Sequence, residues 1–382
     1  MNTSLHSAWL EINLNHLKRN FSLIRAAVPP YVSITTPVKS NAYGHGLIKV
    51  AQALIEAGAD RLAISNIAEG VSLRQAGIQH PLLCLYPILK EEASHAIHHQ
   101  IQITTGGTAY DRLVIEKLAQ EAKQVGSTAQ IHLMIDSGIG RYGVDGWNKA
   151  EILELVHLLH GHKTLKLVGI GMQFANAEDS DPNHSLQQLQ QFKDRLTDIE
   201  QAGYPLPHDI HAANSASVLH FSEAHFTVVR PGLMNYGYQP SANLEDLQGL
   251  KPILAVKARV LRVRSFPKSH TIGYGMKEGI KQDTTVAFVP FGYEYGFCRA
   301  LCKKGYVLIQ GQKALIIGSV SMNSIAVDVS RFEEIGPEEE VIIIGRQGKE
   351  EISLHHWADW LGTNVNEIMV RFSSLLPRIY LQ

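Results

Sequence analysis

The sequence has 382 residues, of which 45% are hydrophobic and 19% are charged, so it is long enough for two domains with large cores. Its formal net charge of -1 gives no support to a nucleic-acid partner, which normally requires a basic face. It shows no secretion signal and no run of about 18 apolar residues, so we expect a cytoplasmic protein with no membrane partner. The 3 cysteines are too few for a disulfide framework, which agrees with that location.

Two segments in the first two thirds of the chain carry apolar residues at the spacing of one helix face. They are GLIKVAQALIEAGA, with Leu47, Val50, Ala51, Leu54 and Ile55, and residues 183–202, with Leu186, Leu189, Phe192 and Leu196. Apolar residues that recur three or four positions apart predict amphipathic helices.

Short β-rich apolar runs separate the helical segments. These runs cover residues 32–38, 61–65, 81–86, 101–105, 130–136, 166–173, 208–212 and 226–230. Eight strands that alternate with helices predict an α/β fold, a (β/α)8 TIM barrel.

The pattern changes after about residue 240. The segments KPILAVKARVLRV, TTVAFVPFG, YVLIQGQKALIIGSVSMNSIAVDV and EEVIIIG are typical of strands joined by tight turns, and helical spacing is scarce before the last thirty residues. This predicts a mostly-β C-terminal domain. We place the boundary in the polar stretch QPSANLEDLQG, which gives a barrel domain over 1–240 and a second domain over 241–382.

Polar and cationic residues follow several of the predicted barrel strands. They are Lys39, Arg141, Gln173, His211, Asn214, Ser215, Arg230 and Gly232. Because the C-terminal strand ends of a TIM barrel converge on one mouth, this set predicts a site for a small anionic ligand. A desolvated lysine in such a place can attack an aldehyde, although a lysine at a strand end is more often a solvated charge.

Asn214 and Ser215 lie where a strand leads into a helix, a natural position for a phosphate. The commoner use of such residues is to cap the helix, and both uses are compatible. The histidines His157, His160 and His162 lie near a helix end without a cysteine or paired carboxylates, so we expect no metal site.

Five motifs occur in order along the chain: VKSNAYGHG (38–46), DSGIGRYG (136–143), HAANSAS (211–217), VRPGLMNYG (229–237) and IGYG (272–275). In this combination the chain resembles the alanine racemase family nearly from end to end. The resemblance implies an enzyme, a racemase (isomerase) that uses pyridoxal 5'-phosphate to interconvert L- and D-alanine. It also implies a homodimer in which the second domain of each subunit completes the active site of the other.

The resemblance assigns Lys39 as the lysine that binds the cofactor aldehyde and as one of two catalytic bases, with Tyr274 as the other. Two bases suit racemisation, because a single base tends to return the proton to the face that it left. Tyr43, Asn214 and Ser215 match contacts to the cofactor phosphate.

Arg230 matches the arginine that faces the pyridine nitrogen of the cofactor, with Gln173, His211 and Gly232 also at the cofactor site. An arginine cannot accept the ring proton, so the ring remains a weaker electron sink, which favours inversion over transamination. Arg141 matches a residue near the phenolic oxygen and the substrate carboxylate. Met322 matches a residue whose backbone contacts that carboxylate.

The chain departs from the family pattern at several positions. They are Met134 for a carbamylated lysine, Gln173 for a histidine, Ser319 for an arginine, Asn323 for an aspartate and Ser374 for a tyrosine. Three of these, Ser319, Asn323 and Ser374, map to the substrate entrance. They leave open a larger or broader range of amino acid substrates. Gln173 and Asn323 leave open weakened catalysis, because both would alter the contacts around Tyr274.

Two rival functions also stay open. A barrel-type decarboxylase of basic amino acids would need an acidic residue facing the ring nitrogen, and Arg230 argues against it. A non-catalytic protein that binds the same cofactor would be a single barrel, so the second domain and Tyr274 argue against that function.

Overall fold

The computed structural model describes residues 6–240, 247–275 and 279–382. The chain forms two compact units: a barrel unit of His16–Ala42 and Leu47–Lys251, and a sheet unit of Pro252–Gln382 with Tyr43–Gly46 and the described residues up to Asn15. The boundary that we expect after residue 240 falls at residues 241–246, which lie outside the described residues. It stays a prediction.

Nineteen strands follow one another along the described residues. They are β1 (Ala8–Asn13), β2 (Ser33–Pro37), β3 (Arg61–Ile64), β4 (Leu82–Cys84), β5 (Ile101–Thr105), β6 (Ala129–Asp136), β7 (Val144–Asp145), β8 (Leu165–Gly171), β9 (Asp209–His211), β10 (Val228–Val229), β11 (Leu254–Arg259), β12 (Arg262–Phe266), β13 (Thr284–Val289), β14 (Tyr306–Ile309), β15 (Gln312–Ile317), β16 (Ile325–Asp328), β17 (Glu340–Gln347), β18 (Glu350–Ile352) and β19 (Arg378–Leu381).

Ten α-helices and one left-handed turn, labelled α2, lie among these strands in the same described residues. They are α1 (Leu14–Ala26), α2 (Lys39–Tyr43, a single turn), α3 (Leu47–Glu56), α4 (Ile67–Gln75), α5 (Ala93–His98), α6 (Ala109–Gln124), α7 (Lys149–Gly161), α8 (Asn183–Gln201), α9 (Ser215–His220), α10 (Leu354–Leu361) and α11 (Val365–Val370). Within the described ranges, no helix is both long enough and apolar enough to cross a membrane.

The barrel unit contains a closed parallel sheet. Its strands are hydrogen-bonded in the order β5-β4-β3-β2-β10-β9-β8-β6, and pairing of β5 with β6 closes the ring. The runs that predict strands therefore form the eight strands of a TIM barrel, which confirms that part of the fold. Their C-terminal ends point to one mouth of the barrel, since all the pairings are parallel.

The helix spacing is confirmed for α3, whose Leu47, Val50, Ala51 and Leu54 are buried. In α8 the expected apolar face is wrong at Leu186, which is 47% exposed. The buried face of α8 instead passes through Ser185, Gln188, Leu189, Phe192, Leu196 and Ile199. Leu186 is one position away from Ser185, and a step of one residue on a helix turns a side chain by about 100°.

The sheet unit is mostly β, as its sequence pattern predicts. Its strands run in the order β12-β13-β16-β15-β14-β17-β11-β1-β19, and β18 pairs with β17. β1, from the start of the sequence, lies between β11 (antiparallel) and β19 (parallel). The helices α10 and α11 lie within the last thirty residues, where helical spacing reappears.

Candidate active site

Lys39 follows β2 closely, at the mouth of the barrel. Its Nζ donates a hydrogen bond to the hydroxyl of Tyr86 at 3.3 Å and lies 5.2 Å from the centroid of the Tyr86 ring. Tyr86 comes two residues after β4. The lysine thus has a hydroxyl partner that can take up or return a proton.

The residues after Lys39 form a left-handed turn. Ser40, Asn41, Ala42 and Tyr43 have φ angles of 56°, 55°, 53° and 53°. In non-glycine residues this conformation costs about 1–2 kcal/mol each, and such strain concentrates at active sites.

Asn41 supplies two hydrogen bonds that hold the left-handed turn. Its backbone N donates to Glu69 Oε1 at 3.0 Å, and its Oδ1 accepts from Leu47 N at 2.8 Å. The Ala42 N also donates to Val38 O at 2.7 Å. The strained turn therefore holds the backbone next to Lys39 in one conformation. Tyr43, the expected phosphate contact, belongs to the sheet unit.

Arg141 lies in the loop that follows β6. The Asp136 carboxylate accepts hydrogen bonds from the backbone N of Gly138 (2.9 Å), Gly140 (3.1 Å) and Arg141 (2.8 Å), so the loop wraps around one side chain. The Arg141 guanidinium lies 5.6 Å from the ring centroid of Tyr86 and 5.5 Å from that of Tyr142. The loop thereby brings Arg141 to the same tyrosine that contacts Lys39.

Arg230 follows β10 and is buried. Its Nη1 donates to His211 Nδ1 at 2.5 Å, and its Nη2 donates to Met172 O at 2.7 Å and to Gln173 Oε1 at 3.3 Å. Burial, with a smaller effect from Arg141, lowers the pKa of Arg230 to about 10, so it is still a cation at neutral pH.

His211 begins a hydrogen-bonded chain through the barrel interior. Its Nε2 lies 2.9 Å from His132 Nδ1, and His132 Nε2 lies 3.2 Å from Gln102 Oε1. Because Arg230 can only donate, His211 must accept at Nδ1 and carry its proton on Nε2. His132 must then accept at Nδ1 and donate from Nε2, so each bond fixes the tautomer of the next ring.

His132 and His211, the two histidines of this hydrogen-bonded series, are neutral. Burial, and after it the positive charge of Arg61, lowers the pKa of His132 to about 3. Burial and the charge of Arg230 lower the pKa of His211 well below its usual value. Arg230 is therefore the one positively charged group among these three side chains.

Ser215 begins α9, with Asn214 as its cap. The Asn214 Oδ1 accepts from Ser217 N at 3.1 Å, so the capping use of this residue is present. The Ser215 Oγ accepts from Gly232 N at 2.9 Å and from Met234 N at 3.4 Å. Both contacts use the oxygen as acceptor, which leaves the hydroxyl proton to donate to another group.

Tyr274 and Met322 belong to the sheet unit, where both are exposed (81% and 54%). The Tyr274 backbone O accepts a hydrogen bond from Ser319 Oγ at 2.7 Å. The Asn323 Nδ2 donates to Glu294 Oε2, and Met322 O accepts from Glu294 N at 2.9 Å. The side chains of Ser319 and Asn323 thus form hydrogen bonds within the sheet unit, next to Tyr274 and Met322 respectively.

The structure brings together Lys39, Arg141, Gln173, His211, Asn214, Ser215, Arg230 and Gly232 within the barrel unit. Three further residues of this group, Tyr86, Tyr142 and His132, are not predicted from the sequence. Tyr86 could have been found, since it is the last residue of a predicted strand, as Gln173 and Arg230 are. His132 lies inside the apolar run of β6, where only its polarity distinguishes it.

These side chains fit pyridoxal phosphate by the chemistry of their donors. Lys39 offers a primary amine to the aldehyde, and the buried Arg230 offers N–H groups to a ring nitrogen that accepts. Ser215 keeps a hydroxyl proton beside the start of a helix, where a phosphate oxygen can accept it. Among the described residues there is no group of three or more His, Cys, Asp or Glu side chains that could hold a metal ion.

Comparison with known proteins places the whole chain beside one group of enzymes. The family model described as "Alanine racemase, N-terminal domain" matches residues 12–240, and "Alanine racemase, C-terminal domain" matches residues 253–380. The alanine racemase of Carboxydothermus hydrogenoformans is 34% identical over 98% of this chain and 100% of its own. That of Desulforamulus reducens is 35% identical over 98% of each.

Solved structures agree with the sequence comparisons. The alanine racemase from Bacillus anthracis with bound L-Ala-P has a TM-score of 0.92 and 30% identity, over 98% of this chain and 95% of that one. The enzyme from Streptomyces lavendulae has a TM-score of 0.91 and 31% identity, over 98% of this chain and 97% of that one.

Proposed function

From the premise that this chain belongs to the alanine racemase family, we propose that it moves the α-proton of its substrate with Lys39 and Tyr274. The chain is an amino acid racemase, an isomerase that interconverts L- and D-alanine with pyridoxal 5'-phosphate as cofactor. When bound, the cofactor supplies an aldehyde for amines and a ring that withdraws electrons from the α-carbon.

The observation that carries the proposal is the direction of the hydrogen bonds around Arg230. Every one of its contacts to His211, Met172 and Gln173 has the arginine as donor, and the group has no proton to gain. Arg230 would face the ring nitrogen of a bound cofactor as a donor and would keep that nitrogen unprotonated, so the ring would be a weaker electron sink. This suits racemisation, and it argues against a decarboxylase.

Lys39 would hold and return a proton on one face of the α-carbon. Its Nζ is fixed by the strained turn that follows it and by the Tyr86 hydroxyl. Tyr274 would serve the opposite face, with Ser319 fixing the backbone of its turn. Arg141 would bind the substrate carboxylate, and the backbone of Met322 would add to that contact. Gln173, His211, Asn214, Ser215, Gly232 and Tyr43 would hold the cofactor.

We also propose a homodimer in which Tyr274 of one subunit acts with Lys39 of the other. Mixing the inactive variants Lys39→Ala and Tyr274→Phe tests this after exchange of subunits. Each hybrid dimer would contain one intact site, so activity should return to about a quarter of the wild-type value. If Tyr274 serves its own subunit, no hybrid has an intact site and the mixture stays inactive.

A cytoplasmic location remains a further proposal, supported by the free thiols of Cys84, Cys298 and Cys302. Subcellular fractionation, with the protein followed by immunoblot, tests it.

The catalytic proposal is tested with purified, cofactor-loaded protein and a panel of L-amino acids in heavy water. NMR follows the exchange of the α-proton, and chiral chromatography follows the D-product. Fastest formation of D-alanine, lost in Lys39→Ala, is the expected result. Carbon dioxide release would favour a decarboxylase, and no exchange with any amino acid would favour a non-catalytic protein that binds the cofactor.

A broader substrate range is a second candidate, because small side chains occupy the expected entrance. Ser374 is exposed, and the Ser319 side chain is turned to the Tyr274 backbone. The same panel decides: exchange of larger amino acids at rates near that of alanine supports the broader range.

A further inference from the structure

The Arg141 guanidinium is held by two aromatic rings. The centroids of Tyr86 and Tyr142 lie 5.6 Å and 5.5 Å from its central carbon, and the two rings meet edge to face at 5.2 Å. Within the part of the chain that the structure describes, no ion pair to this guanidinium is found. Its charge is therefore met by the faces of tyrosine rings and by solvent.

The residue that the family resemblance matches to a carbamylated lysine is apolar in this chain. Met134, on β6 ahead of the loop of Arg141, is 9% exposed and has no charge. The loop itself fixes only the backbone of Arg141, through the carboxylate of Asp136. The two tyrosines are thus the side chains available to limit where the guanidinium goes.

Tyr86 also connects this pair to the catalytic lysine. Its ring contacts Arg141, while its hydroxyl accepts from Lys39 Nζ at 3.3 Å. One side chain therefore touches both groups that the proposed function places on the substrate, Arg141 at the carboxylate and Lys39 at the α-proton.

We propose that Tyr86 and Tyr142 form an aromatic clamp that positions Arg141 for the substrate carboxylate, and that the Tyr86 hydroxyl also orients Lys39. This rests on the proposed function of Arg141. The ring of each tyrosine and the hydroxyl of Tyr86 have separable effects, because phenylalanine retains the ring and leucine removes it.

Four variants separate these effects: Tyr142→Leu, Tyr142→Phe, Tyr86→Phe and, as control, Tyr31→Leu at an 80% exposed tyrosine. Tyr142→Leu, which removes one ring of the clamp, should raise the KM for alanine roughly three- to tenfold with a smaller change in kcat. Tyr142→Phe should restore the KM. Tyr86→Phe should keep the KM and change kcat and its pH profile, because it removes the partner of Lys39 but not the ring. Tyr31→Leu should match the wild type.

A second measurement does not depend on activity. In cofactor-free protein labelled with ¹⁵N-arginine, the Nε–Hε resonance of Arg141 is identified by its loss in Arg141→Lys. Ring currents from the clamp should shift it upfield, and Tyr142→Leu should move it back while Tyr31→Leu leaves it unchanged. Circular dichroism checks that each variant is folded.

The two measurements distinguish the possible failures. If Tyr142→Leu moves the Arg141 resonance but the wild-type protein has no racemase activity, the clamp is supported and the proposed function is overturned. Active enzyme in which neither the resonance nor the KM responds to Tyr142→Leu overturns the clamp.

Discussion

Arg230 and His211 form a hydrogen bond of 2.5 Å in which the histidine is the acceptor. The bond requires a neutral imidazole, because a doubly protonated ring has no lone pair for the arginine. His132 must be neutral for the same reason, because its Nδ1 accepts the hydrogen bond from His211 Nε2 at 2.9 Å. Burial lowers the pKa of both rings, and the hydrogen bonds that begin at Arg230 are compatible only with their neutral forms.

The first prediction concerns stability at acid pH. His132 has a pKa of about 3 in the folded protein, against an ordinary value of 6.5. As the pH falls below 6.5, the unfolded chain binds a proton that the folded chain does not, so the free energy of unfolding decreases by about 1.4 kcal/mol per pH unit for this group. The full stability is present above pH 6.5.

Urea unfolding between about pH 7 and pH 4 measures this effect. In His132→Gln the slope of stability against pH should be shallower than in the wild type by about 1.4 kcal/mol per pH unit. Gln130→Asn, an exposed change on the same strand that adds or removes no titrating group, should have the wild-type slope. Equal slopes in His132→Gln and the wild type would show that folding does not lower the pKa of this ring, and would overturn the prediction.

The second prediction concerns Tyr274. Tyr274→Phe removes the proton-carrying hydroxyl, so racemisation of alanine should fall by about 10²- to 10⁴-fold. The absorbance of the bound cofactor should be unchanged, because the cofactor contacts belong to other residues. Ser319→Ala, which removes only the bond to the Tyr274 backbone, should have a smaller effect. A Tyr274→Phe enzyme with near-normal turnover would refute the two-base assignment.

The third prediction concerns the substrate entrance. If the small Ser374 widens it, Ser374→Tyr should lower kcat/KM for amino acids larger than alanine by roughly tenfold while changing that for alanine little. The assay is chiral chromatography on the same panel of amino acids, with Ser373→Thr as a neighbouring control. A uniform loss for all substrates would point instead to damaged folding or catalysis.

The fourth prediction concerns a buried ion pair in the barrel. Arg61 Nη2 and Asp209 Oδ2 lie 2.6 Å apart, with side chains only 15% and 9% exposed. Burial alone would raise the pKa of Asp209, but Arg61 and His208 hold it below its usual value. Asp209→Asn leaves a buried arginine without its partner and should destabilise the protein by about 3–5 kcal/mol.

A matched change at the surface serves as the control for that pair. Glu56→Gln breaks the exposed pair between Lys18 and Glu56, and should cost less than about 1 kcal/mol. Chemical denaturation compares the two variants directly. Similar losses in both would mean that burial does not decide the strength of these pairs.

Much of this architecture follows from local sequence patterns. The eight barrel strands could be predicted because each is a short apolar run, and Lys39 could be singled out because it ends one of them. The exposure of Leu186 could not be predicted. The helix α8 is mostly polar and buries Ser185 and Gln188, so the spacing of its few apolar residues does not decide which face is buried. The contact of Tyr86 and Tyr142 with Arg141 could not be predicted, because it depends on loops that converge only in the fold.

The position of β1 has a consequence for synthesis on the ribosome. Ala8–Asn13 are synthesised well before their neighbours in the sheet, Leu254–Arg259 and Arg378–Leu381. The barrel strands can pair during translation, while β1 has at least one unpaired edge until β19 has left the ribosome. A nascent chain stalled before β19 should therefore bind chaperones at the exposed apolar edge of β1, even after the strands of the barrel have all been synthesised.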